Sequence, residues 1–304
     1  MNREAKKICS KIGLVLISYS LIVFAVTYIF SSIVINYIDK SFFQDENIKV
    51  ITNSVIMYAI GFPYLYFLLG RKKNISENTT KKKLGIIKII KIFLITYALT
   101  IASNLVGRLI TTIIGEIKGE KVDDALLGYV GGVNIYVLVL ATCIGAPLFE
   151  EYVFRKLIID KLKKYGEFLA IMVSGVTFGL FHGNFNQFIY ALVIGMVFAY
   201  VYIRTNNILH TIILHAMINF IGSVVGIQII GSENVLMIQI YSLIVFIIIF
   251  VGVILFFANI KRIHFEEAKN EIDSKFRLKV AFINVGMIIF VIYYVVTMIL
   301  QIMG

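Results

Sequence analysis

The stretch IGLVLISYSLIVFAVTYIFSSIVINYI, Ile12 to Ile38, runs for 27 residues without a charge. VLMIQIYSLIVFIIIFVGVILFFANI, Val235 to Ile260, does the same for 26. A helix crosses the hydrocarbon core of a bilayer with about 20 apolar residues, so either stretch can span it with some tilt. In lipid the backbone must satisfy its own hydrogen bonds, which leaves the helix as the form for single runs of this kind. The two stretches make the chain an all-α, polytopic transmembrane helical bundle. Composition agrees: 59% of the 304 residues are hydrophobic and mean hydropathy is +0.89, where soluble domains are about 45–50% apolar.

Working outward, hydrophobic runs fall at 12–38, 49–70, 86–114, 132–154, 168–182, 187–203, 207–222, 235–260 and 280–302. This predicts eight to nine spans in a single membrane domain covering 1–304. The runs at 168–182 and 207–222 are short, as helices lining a cavity often are. The first run is too long for a signal-peptide core and is read as a retained helix. The segment from Lys261 to Lys279 mixes both signs of charge and is expected to form an amphipathic interfacial helix.

The net charge of +11 would suit nucleic acid, but its placement points elsewhere. With the N-terminus cytoplasmic, 24 of the 29 Lys and Arg residues fall on the cytoplasmic side and five on the other, as basic loops prefer. The excess is then a membrane face opposite anionic lipid, and no nucleic-acid partner is expected. Two sequon matches, at Asn74 and Asn78, lie in the most basic loop, where glycosylation is not expected. Cys9 and Cys143 share no disulfide or zinc spacing. Cys9 reads as a free thiol at the interface, Cys143 as a small buried side chain. No internal repeat suggests transporter halves.

Ionisable groups inside spans cost about 2.5–3.5 kcal/mol each and usually mark function. Here they gather in 140–222: Glu150, Glu151 and Arg155 end the fourth run, Phe178 and His182 the fifth, and His215 and Asn219 lie in the seventh. Glu151 and Arg155 are i and i+4, neighbours on one helical stripe, and each offsets the other's burial. His215 and Asn219 share a face in the same way. Glu150 points about 100° away from Glu151 and lacks that partner. Pro147 removes a backbone hydrogen bond one turn earlier. Glu150 and His182 stand equally far, in opposite directions, from a turn at Gly166, so an antiparallel hairpin brings them to one height. His215 is nearer its own turn at Asn206 and fits less well.

An apolar surround disfavours the charged form of a carboxylate, which suits a base working near neutral pH. A neutral His beside it can share a water, and a second His with an Asn can donate to a developing oxyanion. Glu150, His182 and His215 could equally bind zinc, and the sequence leaves both mechanisms open. Gly175 and Gly179 form a small-xxx-small pair that lets helices approach. No catalytic role is expected for His210 or His264.

These residues resemble the CPBP family, the CAAX proteases and bacteriocin-processing enzymes also called Abi. The family pattern EExxxR, FxxxH, HxxxN/D is matched by Glu150, Glu151 and Arg155, by Phe178 and His182, and by His215 and Asn219. The resemblance implies an intramembrane endopeptidase with Glu150 as general base, His182 assisting, and His215 and Asn219 at the oxyanion. Glu151 and Arg155 would hold the first motif in place. It implies a peptide or small membrane protein as substrate; a bacterial cell without protein prenylation would have no CAAX substrate, so a leader-bearing peptide or pheromone precursor is expected. The family also contains non-catalytic bacteriocin self-immunity proteins. The Gly that often follows the motif's Arg is Lys156 here, and the family core is usually counted as eight spans.

Overall fold

A computed structural model describes residues 2–70, 80–120, 122, 132–266, 268 and 270–303. The sequons at Asn74 and Asn78 lie outside them. The longer described elements are helices: α1 Asn2–Tyr37, α2 Glu46–Gly70, α3 Ile86–Lys118, α4 Ile135–Tyr165, α5 Glu167–Phe181, α6 Phe185–Thr205, α7 Ile208–Gly231, α8 Val235–Arg262, α9 Ser274–Phe282 and α10 Val285–Met303. Eight of them are long and apolar enough to cross a membrane, and the protein is a multi-pass membrane protein. The exception among the apolar helices is α5. Its 15 residues rise about 22 Å, short of the ~30 Å hydrocarbon core, so a helix starting at one surface ends inside the bundle.

Local chemistry sets many of these boundaries. Asp45, Asn134, Asn184, Asn207, Asn234 and Asp273 each accept a backbone N–H of the turn they precede, satisfying donors a helix start leaves orphaned. Gly119, at φ 77°, closes α3 in the left-handed region.

Three sequence expectations are corrected. Helix α7 continues past 222 to Gly231, because Val224, Val225, Ile227, Ile229 and Ile230 carry the apolar pattern beyond the Gly222-Ser223 pair that seemed to end it. Within 261–279 only Ser274 onward becomes an α-helix, started by the Asp273 cap, and the 280–302 run is broken at Ile283–Asn284 before α10 begins. Cys9 is fully buried, because it lies on the stripe Ala5, Cys9, Ile12, Leu16, Tyr19 that α1 turns inward. Both cysteines are free and buried.

That stripe packs α1 alongside α10. A Cβ on Gly13 or Gly286 would overlap the other helix's backbone. Ser10 Oγ accepts the Gly286 N–H at 2.9 Å, and Ser20 Oγ meets Tyr294 Oη at 2.6 Å. Helices α5 and α6 meet as closely through Gly175, Gly179 and Gly195, as small residues allow in membranes. At one end of the bundle Glu4 pairs with Lys164, Arg204 bridges Glu167 and Glu266, and the Ile272 N–H donates to Tyr165. The described stretches around Lys164, Arg204 and Glu266 thus share one end.

Both prolines of the chain sit just after a widened helical turn. Pro63 follows Ile56–Gly61 and Pro147 follows Val139–Gly145, each wound as π-helix. Proline has no N–H and its ring crowds the carbonyl four residues back. The preceding N–H therefore reaches five residues back: Phe62 to Met57, and Ala146 to Ala141. Gly145, inside the second widened turn, lies where a Cβ would crowd the Tyr58 ring of α2.

Candidate active site

The site is built on α4, α5 and α7. Arg155, wholly buried, lays Nε on Glu151 Oε2 at 2.8 Å and Nη2 on Oε1 at 3.2 Å, a two-pronged pair with a carboxylate that is also wholly buried. Its remaining Nη1 donates to Ser174 Oγ at 2.8 Å, and Ser174 donates to the Phe154 carbonyl at 3.0 Å. The guanidinium lies 4.9 Å from the Phe178 ring and 5.9 Å from Phe198. Such a pair holds together in low dielectric only when its hydrogen bonds are complete and the charge is covered; here both conditions are met.

His215 Nδ1 lies 3.0 Å from Glu151 Oε1. A carboxylate held by Arg155 can only accept, so Nδ1 carries the proton and Nε2 of the neutral ring faces outward with its lone pair. That Nε2 is 3.9 Å from Glu150 Oε2. His182 is fixed alike, its Nδ1 donating to the Phe178 carbonyl at 2.8 Å. Phe178 packs edge-on to both rings, at 5.0 Å from His182 and 5.9 Å from His215. Glu150 Oε2 is buried and makes no hydrogen bond among the described residues.

The expected height mismatch does not keep His215 from Glu151. At the base of α4, Tyr202, near the end of α6, donates to Asp160 at 3.0 Å. Glu150 and His182 are brought to one cluster through Phe178 but do not hydrogen-bond to each other.

Asn219 does something its motif did not announce. Its Nδ2 donates to the Thr142 carbonyl of α4 at 2.7 Å. With Ala146 bonded to Ala141 and Pro147 unable to donate, that carbonyl has lost both of its helical partners. The amide of α7 replaces them. Ser174 and Phe198 were also missed; Ser174 stands one turn before Phe178 on the same face of α5, the one local signal that could have found it.

The two free Nε2 atoms and a carboxylate are a donor set whose chemistry suits zinc. Among the described residues, however, no three His, Cys, Asp or Glu side chains converge closely enough to hold a metal ion, and no step below runs through one.

Comparison with known proteins falls on these same elements. Residues 132–221 match the family described as type II CAAX prenyl endopeptidase, Rce1-like. The chain is 33% identical over 97 residues to the YdiL protein of Bacillus subtilis (strain 168), covering 32% of this chain and 39% of the relative. It is 31% identical over 107 residues to the membrane-embedded CAAX protease MroQ of Staphylococcus aureus (strain USA300), covering 33% and 42%. The UPF0177 protein YxdF of Lactococcus lactis subsp. lactis (strain IL1403) is 25% identical over 155 residues, 51% of this chain and 83% of that protein. The match thus spans about two fifths of the length of YdiL and MroQ. No solved structure matches this chain.

Proposed function

We propose that the protein is an intramembrane endopeptidase that cleaves a membrane-associated or leader-bearing peptide with a water activated by Glu150. The observation that carries this is a carboxylate with an unbonded, buried oxygen, 3.9 Å from the lone-pair face of His215, within a membrane bundle. A gap of that size is slightly too long for a direct hydrogen bond and suits two groups that share one water. Glu150 takes a proton from the water, and the hydroxide adds to the peptide carbonyl. The tetrahedral oxyanion then collapses as the C–N bond breaks, and Glu150 returns the proton to the leaving amine. His215 accepts the water's other proton and orients it, while Glu151, Arg155 and Ser174 hold His215 in its tautomer. The 24-to-five split of basic residues supports a cytoplasmic N-terminus.

The test is quantitative terminal peptidomics of membranes and medium from cells carrying wild type or Glu150→Ala at matched abundance. Peptide termini present with wild type and missing with the variant are the expected result, and they name the substrate. Unchanged termini, in cells where deletion has a phenotype that Glu150→Ala rescues, would replace the peptidase by a non-catalytic membrane binder such as a self-immunity protein.

A further inference from the structure

Hydrolysis needs a donor for the oxyanion, and the two donors expected from the sequence are partly committed. His215 has its N–H on Glu151, and one of the two amide protons of Asn219 is on the Thr142 carbonyl. Tyr19 of α1 stands out instead. It is 2% exposed, yet its hydroxyl makes no hydrogen bond among the described residues. Its ring is stacked on Phe149 at 5.9 Å and tilted against Phe181 at 5.4 Å. Phe149 is the residue before Glu150, and Phe181 the residue before His182. Tyr19 Oη and Glu150 Oε2 do not hydrogen-bond to each other.

Two unpartnered polar atoms buried near each other are rare in folded proteins, and one here is a donor, the other a base. The ring's position is deliberate in the packing: a Cβ on Gly61 of α2 would overlap it. We propose that Tyr19 Oη donates to the scissile carbonyl oxygen of the substrate and holds the oxyanion opposite Glu150. This rests on the peptidase reading above. The phenol keeps its proton throughout; it contributes a hydrogen bond that strengthens as charge develops on the carbonyl oxygen.

The experiment uses full-length protein in detergent micelles and a synthetic peptide spanning the bond identified by its new termini in wild-type membranes. Tyr19→Phe keeps the ring against Phe149 and Phe181 and removes a hydroxyl with no hydrogen bond to lose, so its melting temperature should stay level or rise. Its kcat should fall by about 10²-fold or more, the range for a lost oxyanion donor, with KM within threefold of wild type. A Tyr19→Phe enzyme with wild-type kcat overturns the role of Tyr19 while leaving Glu150 in place. A fall in melting temperature parallel to kcat assigns the hydroxyl to structure and overturns it too. If wild type and Glu150→Ala leave identical termini, the peptidase reading falls and this role with it.

Discussion

Helices α4 and α8 both cross the bundle, and they are opposites. In Val235–Asn259 of α8, Gly252 alone is buried, and no charge interrupts it. Helix α4 buries Glu151 and Arg155 completely and carries Glu150, its side chain 16% exposed, beside them. Helix α8 solves the membrane problem by composition, presenting Ile, Leu and Phe to lipid. Helix α4 solves it by partners: Glu151 and Arg155 pair with each other and with His215 of α7 and Ser174 of α5. Mean hydropathy follows that difference: it is 3.1 in α8 and 1.6 in α4.

The sharpest way to break this contrast is Arg155→Ala. It leaves the Glu151 carboxylate buried without its cation, which typically costs 3–5 kcal/mol; thermal unfolding in detergent should show a large drop. Changing both Glu151 and Arg155 to Met removes both charges, so most of that stability should return while peptide cleavage does not. Stability that fails to return would show that the pair supports the fold in a way apolar packing cannot replace.

The Asn219–Thr142 bond sharpens the comparison at smaller scale. Asn219→Ala should cost on the order of 1 kcal/mol, as interhelical bonds in membranes do. Pro147→Ala restores an N–H to α4, so in that background the cost should shrink toward zero in a double-mutant cycle. Equal costs in both backgrounds would separate Asn219 from the proline. Smallest of all is Phe250→Ala on α8, 60% exposed toward lipid, expected to stay within about 0.5 kcal/mol of wild type. Its neighbour Gly252 is the control: a side chain there meets the Leu94 carbonyl and Ala98 of α3, and Gly252→Leu should loosen α8.

Much of the fold was legible because uncharged runs and helical spacing are local properties. The Glu151–Arg155 pair follows from i,i+4 geometry alone. What stayed hidden depends on distant chain segments. Tyr19 lies more than a hundred residues from the motifs and looks like any Tyr in an apolar run; nothing local says its hydroxyl is unpartnered. The widened turns escape because a π-turn has no composition of its own, although Pro147 marked the place. The helix expected over 261–279 shortened because charge mixture does not by itself supply helix stabilisation without a packed face, and Ile272 is instead bound to Tyr165. Asn219 was read by residue type, and an amide can serve either a substrate or a neighbouring backbone.

The proline-freed carbonyl of Thr142 also has a timetable. Its donor lies 77 residues further along the chain. At ribosomal speeds of about 5–20 residues per second, α4 waits roughly 4–15 s between leaving the ribosome and meeting Asn219. During that interval the widened turn is an incomplete helix, and α5 and α6 are made while it waits. The fourth helix is among the first of the site to be synthesised, and the seventh completes its backbone.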